Sequence, residues 1–355
     1  MRRRRLGATD IEVPVLAFGA YAIGGWYWGE SDDAAAVDAL RAAVDRGMNA
    51  VDTAPVYGLG HSEELVGRAL RGRRDEVVLM TKVGMRWDDP RGPLAAEVTP
   101  PGGRRVPVRA NLRPDSVRAE VEASLGRLGV EHVDLVQVHR PDPETPIADT
   151  MGALAELRAE GKLGAIGVSN YTVAQIEEAR RALGDVPLAS DQPPYGLLDR
   201  GIERDLLPYA RATDLGILAY SPLAQGLLTG AVTAERVFPE TDGRSRGTRF
   251  LPGNRARVNA LLREVVSPIA AARGATVAQV VLAWTIAQPG VTCALVGARD
   301  PGQVRENAAA AAVELSPEEL ARIGEPFAAL ELERLRPGLL RRAWSRLAWE
   351  IKKRR

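Results

Sequence analysis

Four side chains in the first half of the chain are of types that can move a proton at a carbonyl oxygen: Asp52, Tyr57, Lys82 and His139. Asp52 and Tyr57 share the stretch "VDTAPVYG" (51–58), where an apolar run breaks into a loop. Lys82 ends "VVLMTK" (77–82) and His139 ends "VDLVQVH" (133–139). A lysine at the end of an apolar run is costly to bury unless a carboxylate pairs it. Asp52, ending the preceding run, is within reach. A cation beside a phenol favours phenolate, so the Tyr57 pKa is expected to fall towards a working value. His139 can donate to a substrate oxygen or orient the phenol. Singly, each residue has an ordinary explanation: a turn or cap for Asp52, loop packing for Tyr57, solvent for Lys82, a satisfied polar site for His139. Four such groups at the ends of three consecutive runs point instead to protonation of a carbonyl oxygen as negative charge develops on it.

The elements that must position them recur along the chain. Short β-branched runs stand at 15–19, 49–53, 77–82, 133–139, 164–169, 187–192, 216–221 and 293–298. Helical patterns lie between them. "SDDAAAVDALRAAVDRG" has Ser31 as its expected cap and Gly47 at its end; "RPDSVRAEVEASLGRLG" starts at Pro114 and stops at Gly129. Strand–helix alternation predicts βαβ units and a parallel sheet. Eight such units fit a closed (β/α)8 TIM barrel in the α/β class better than an open sheet. An open dinucleotide-binding sheet also calls for G-x-G-x-x-G after its first strand, and "AFGAYAIGGW" lacks that spacing. A barrel places its active site at the C-terminal strand ends, where Ser169, Asn170, Gln192, Tyr220 and Ser221 also fall. The expected organisation is one barrel domain over 1–330 and a basic tail over 331–355. Two long loops, 84–112 and 237–254, carry no strand or helix pattern and are read as functional excursions.

Composition narrows the function. The charge balance, 47 basic to 46 acidic residues, provides no global field for nucleic acid or anionic lipid. One cysteine, Cys293, fits a reducing compartment. "MRRRRLGATD" is basic but lacks the apolar core of a secretory signal, so a cytoplasmic location is expected. Three histidines and one cysteine lack ligand spacing, so no metal is expected.

On "RGMNAVDTAPVYGLGHSEELVGRAL", "VVLMTKVG", "VDLVQVHRPD", "GKLGAIGVSNY", "LAYSPLAQGLLTG" and "LVGARDPGQVRENAAA", the chain resembles the aldo-keto reductase family from about Arg5 to Leu330. Its long loops resemble the bacterial branch related to potassium-channel β subunits. The resemblance implies NADPH-dependent reduction of an aldehyde or ketone. Tyr57 would be the general acid, tuned by Lys82 and Asp52, with His139 orienting the carbonyl. Ser169, Asn170 and Gln192 would hold the nicotinamide carboxamide, and Tyr220 would stack on the ring. "SPLAQG", with Ser221, Pro222, Leu223 and Gly226, would wrap the pyrophosphate. Gly297, Arg299, Gln303, Glu306 and Asn307 match the segment that holds the adenosine end. The sequence departs from the family at Ala231, where many members have lysine, and at Gly297-Ala298, where many have a Lys-Ser pair for the 2′-phosphate. Arg299, or Arg244 and Arg246 from the second long loop, would supply that charge, which favours NADPH over NADH.

Trp26, Tyr27 and Trp28 after the first run, and Trp87 after the third, are candidate substrate walls. Arg104, Arg105 and Arg109 are read as a solvated face rather than an anion site. In the tail, Leu340, Trp344, Leu347 and Ile351 recur at helical spacing among basic residues. That stripe is expected to pack on the barrel or a second copy, with a membrane surface as the lesser reading. A small carbonyl compound is the expected partner, with a homo-oligomer left open. Two other functions fit the same residues: a slow-turnover NADPH-binding regulatory subunit, and a keto-sugar reductase.

Overall fold

In the computed structural model, residues 1–25, 32–100 and 103–333 are described. Eight parallel strands close into a barrel in sequential order. They are β1 (Leu16–Gly19), β2 (Ala50–Asp52), β3 (Val78–Val83), β4 (Val133–Val138), β5 (Leu163–Ser169), β6 (Leu188–Gln192), β7 (Gly216–Tyr220) and β8 (Cys293–Val296). Closure comes from β8 pairing with β1, with Ala294, Leu295 and Val296 opposite Leu16, Ala17 and Phe18. All eight expected runs are barrel strands.

Helices α1 (Asp33–Asp45), α2 (His61–Leu70), α3 (Pro114–Leu128), α4 (Ile147–Ala159), α5 (Val173–Leu183) and α6 (Leu206–Thr213) follow the first six strands in turn. Asp32 caps α1 by accepting from the Ala34 and Ala35 amides; Ser31, the expected cap, lies outside the described residues. Pro114 opens α3 and Gly129 ends it in a left-handed conformation, as expected. Helices α7 (Pro252–Leu261), α8 (Ser267–Ala272) and α9 (Val277–Ala287) separate β7 from β8, and α10 (Pro301–Ala309) and α11 (Pro317–Ala328) follow. No single helix among the described residues is long and apolar enough to cross a membrane.

Alternation along each strand makes two cores. Outward residues such as Phe18, Val51, Leu79, Val136 and Ile166 pack against the helices. Inward residues Ala17, Ala50, Met80, Leu135, Leu218 and Cys293 fill the barrel with Leu6 and Val13. Leu6 and Val13 belong to an antiparallel hairpin of Arg3–Arg5 against Glu12–Pro14, which the sequence reading missed. It is tied on by Arg4, which donates to the carbonyls of Val291 and Ile286.

The first long loop is not without structure. Its segments Met85–Arg86, Leu94–Val98 and Val106–Ala110 form a three-stranded antiparallel sheet. Pro107 and Arg109 interrupt the apolar alternation, which hid these strands. In the second loop, Asp242 starts a short 3-10 turn over Gly243–Arg246.

Candidate active site

The barrel's two-residue period carries straight into the site. Two positions beyond inward Ala50, Met80, Leu135 and Leu218 stand Asp52, Lys82, Gln137 and Tyr220. Their side chains therefore meet inside the upper rim. Lys82 Nζ lies 2.5 Å from Asp52 Oδ2, with the two side chains 1% and 4% exposed. The ammonium also donates to the Thr53 carbonyl at 3.0 Å and to Tyr57 Oη at 3.2 Å.

Asp52 has a further set of partners. Its Oδ1 accepts from Gln192 Nε2 at 2.8 Å and from Gln137 Nε2 at 3.1 Å, and Gln192 Nε2 also lies 3.1 Å from Gln137 Oε1. Gln137 was not foreseen, because it sits inside the apolar-looking run "VDLVQVH"; its inward phase was the available signal. Gln192 reaches inward past a register irregularity between β5 and β6.

Tyr57 sits on a chain of tight turns. The Tyr57 amide donates to Ala54 O, Leu59 N to Val56 O, and Ser62 N back to Tyr57 O. Gly58 has φ of +65°, and a Cβ there would lie 2.2 Å from Gly24 O, so only glycine lets this turn close on the loop after β1. Ser62 Oγ donates to Ala20 O, and the buried Glu63 carboxylate accepts from Thr81 Oγ1 and Arg127 Nε, both at 2.7 Å. These contacts fix the start of α2, and with it the phenol, against β3.

The electrostatics correct one expectation. Tyr57 is not shifted down by Lys82: burial, then the charge of Asp52, pushes its phenol well above the ordinary value. Burial likewise pulls the Lys82 ammonium down while Asp52 opposes the pull. His139 is held well below its ordinary value by burial and the Lys82 charge, so its ring is neutral near pH 7. Its ring meets Tyr57 edge-on at a centroid distance of 5.8 Å. A protonated phenol beside a neutral imidazole and a buried ammonium has a proton to give, and a phenolate left there would face a cation.

A second polar cluster adjoins the first. Ser169 Oγ donates to Gln192 O at 2.6 Å; Asn170 Nδ2 donates to His139 O and to Ser169 Oγ. Tyr220 Oη donates to Asn170 Oδ1 at 3.0 Å. Asn170 and Ser221 both have left-handed backbones. Beyond Pro222 and Leu223, three consecutive residues, Ala224, Gln225 and Gly226, are left-handed. Such a turn gathers amides into a concavity suited to anions. Arg244 closes over it, donating to Gln225 O at 3.4 Å while pairing with Asp242 at 2.6 Å.

The remaining expected residues gather after β8. Asn307 Nδ2 donates to Gly297 O, the Arg299 amide to Gln303 Oε1, and the Gln303 amide to Asp300, the cap of α10. Glu306 is exposed, with its carbonyl accepting from Gln279. Arg299 is pulled below its ordinary pKa by burial and by the nearby Arg244 charge. Arg246 is exposed and donates to Glu240 O, away from this group.

Trp87 packs in the same apolar cluster as Tyr57, under the Arg127 guanidinium at 5.7 Å. Trp26, Tyr27 and Trp28 lie outside the described residues, as do Leu340, Trp344, Leu347 and Ile351. Tyr21, which the sequence reading did not single out, meets Tyr57 edge-on at 4.9 Å. Arg105 pairs with Glu97 at an exposed site, and Arg109 donates to Gly92 O within the small sheet. Among the described residues no group of three or more His, Cys, Asp or Glu could hold a metal ion.

Comparison with known proteins converges on one family. The model of the Aldo/keto reductase family matches residues 15–326. The chain is 38% identical over 338 residues to the NADH-specific methylglyoxal reductase of Escherichia coli (strain K12), covering 93% of this chain and 100% of that protein. It superposes on the glycerol dehydrogenase AKR11B4 of Gluconobacter oxydans with a TM-score of 0.81 and 38% identity, covering 95% of this chain and 98% of that one. An aldo/keto reductase from Klebsiella pneumoniae, solved with NADP and acetate, gives a TM-score of 0.68 at 31% identity, with 94% and 98% covered. The chain belongs to the aldo/keto reductase family and is an oxidoreductase acting on carbonyl groups.

Proposed function

We propose that the protein reduces a small aldehyde or ketone to an alcohol with NADPH, and that Tyr57 donates the proton. The observation that carries this reading is the Tyr57 hydroxyl, kept protonated by burial, 3.2 Å from a lysine ammonium that Asp52 fixes. When bound, the reduced nicotinamide supplies the hydride. The chain's residues do the rest. The Tyr57 O–H bond breaks as its proton passes to the carbonyl oxygen, and Lys82 stabilises the phenolate left behind. The neutral His139 ring donates a hydrogen bond to the same oxygen.

The donor set fits the cofactor. Ser169, Asn170 and the Oε1 of Gln192 suit a carboxamide, and the Tyr220 ring offers a flat face. The left-handed turn of Ala224, Gln225 and Gly226 suits a pyrophosphate, and Gly297, Gln303, Glu306 and Asn307, grouped after β8, would hold the adenosine end. The Escherichia coli relative is named as NADH-specific, so the NADPH preference rests on this chain's own arginines. The charges of Arg244 and Arg236 bear on Arg299 and are opposed there by Asp242. A 2′-phosphate would relieve that repulsion, and one bidentate contact worth about 1.4 kcal/mol gives a tenfold preference. The relatives' names, methylglyoxal reductase and glycerol dehydrogenase, support a short oxygenated substrate.

The test is turnover of an aldehyde panel with NADPH and with NADH. Tyr57→Phe is expected to lower kcat by about 10²–10⁴-fold while the protein still binds the cofactor. Full turnover in that variant would overturn the role given to Tyr57.

A further inference from the structure

Arg140 directly follows His139, where β4 opens at the rim. It is exposed, and among the described residues its guanidinium makes no hydrogen bond or ion pair. The backbone beneath it is nevertheless fixed on both sides. Before it, the His139 amide donates to Val83 O at 2.9 Å and the His139 carbonyl accepts from Asn170. After it, the buried Asp142 carboxylate accepts from the Leu112 amide, the Glu144 amide and Thr145 Oγ1. A long cationic side chain thus stands on a rigid base beside the site.

Its charge is felt at Tyr57, in the turns after β2, and at His139 and Tyr220, where β4 and β7 end. The carboxylates whose charge reaches the same phenols are held elsewhere. Asp52 is paired with Lys82 and Asp199 with Arg249 at 2.7 Å, while Asp191 is buried in β6, accepting from the Tyr171 amide. Among the described residues, no carboxylate pairs with the cation at this rim. An exposed arginine so placed offers a planar fork to a carboxylate or phosphate whose carbonyl lies at Tyr57.

We propose that Arg140 determines substrate class, selecting carbonyl compounds that carry a carboxylate or phosphate a few atoms from the reacting carbon. The inference rests on the reductase reading above and names the substrate for that same site. It assigns to Arg140 the anion-selecting role that the sequence reading considered for Arg104, Arg105 and Arg109.

The experiment compares 4-oxobutanoate with butanal, and glyceraldehyde 3-phosphate with glyceraldehyde, in the full-length enzyme with NADPH. The expected result is a kcat/KM ratio favouring the anionic member of each pair by about tenfold or more, expressed mainly in KM. Arg140→Gln is expected to lower that ratio about tenfold, and Arg140→Lys to restore part of it as a point charge without the fork. Raising the salt concentration should shrink the parent's ratio and leave that of Arg140→Gln unchanged. Calorimetric titration of the cofactor-loaded protein with butyrate gives a second readout without turnover. A ratio near one in the parent, or one that Arg140→Gln leaves unchanged, overturns the proposal. The source of the anion is read from which pair shows the larger ratio. If no aldehyde is turned over while butyrate binding still falls about tenfold in Arg140→Gln, the reductase reading fails and the anion site stands. If neither ligand effect appears, the anion site fails.

Discussion

Replacing Asp52 by asparagine isolates what the buried carboxylate does. The Lys82 and Asp52 side chains are almost wholly enclosed and 2.5 Å apart. Asparagine keeps the shape but leaves an ammonium at that depth without a counter-charge. Breaking a buried pair from one side costs about 3–5 kcal/mol. An unfolding entropy of about 2.1 cal/mol/K per residue, over 355 residues, makes that a fall in Tm of about 4–7 °C. The pH dependence has a definite sign. Burial already lowers the Lys82 pKa, with Asp52 opposing it; without Asp52 it falls further. The folded variant then sheds a proton that the unfolded chain holds up to about pH 10.4. Stability of the variant therefore rises with pH over that window, and its gap to the parent narrows. Thermal unfolding at neutral and at alkaline pH reads this directly. Asp52→Asn combined with Lys82→Met should recover at least half of the loss, since no buried charge remains. A Tm equal to the parent's, a gap that widens with pH, or a double variant weaker than the single one would show that Asp52 does not stabilise a buried Lys82 charge.

Two further outcomes follow from groups behind the site. Glu63→Gln should destabilise the protein by about 1–2 kcal/mol and lower turnover. Thr81→Val should act through the same clamp, so a double-mutant cycle on Tm and kcat should be clearly non-additive. Glu120 is buried under Gly84, whose amide donates to its Oε2 at 2.6 Å, and burial pushes its pKa up to about 8. Because its folded pKa lies above the unfolded one, its contribution is full below about pH 4.3. That contribution is lost as pH rises towards 8. Glu120→Gln should flatten that decline by up to about 1.4 kcal/mol per pH unit; denaturant titrations at pH 5 and 8 with equal slopes in both proteins would contradict it.

The barrel was legible because each strand is a short β-branched run with punctuation at both ends. Strand ends were legible too, since Asp52, Lys82, His139, Ser169, Gln192 and Tyr220 are polar residues terminating apolar stretches. Gln137 escaped because a single amide inside such a run looks like noise until the inward phase of Leu135 is known. Glu63 escaped for a related reason: a charged residue in a first helical turn reads as a dipole partner, whereas here it is fully buried between Thr81 and Arg127. The Arg3–Arg5 strand shows no alternation, because its side chains hook carbonyls and acids rather than fill a core. The shift at Tyr57 was misjudged because spacing reveals a neighbouring charge but not the depth of burial, and here burial is the larger effect.

The pairing of β8 with β1 sets a timetable for synthesis. The open edge of Leu16–Gly19 gains this neighbour only when Cys293–Val296 arrives, about 275 residues later. At about 5–20 residues per second that is a wait of about 14–55 s. Through it one edge of an apolar strand lies unpaired, the condition under which nascent chains stick to one another. Four consecutive arginines, Arg2 to Arg5, stand a few residues upstream. Arg4 meets its acceptor Val291 only then as well, since that residue is made just ahead of Cys293–Val296.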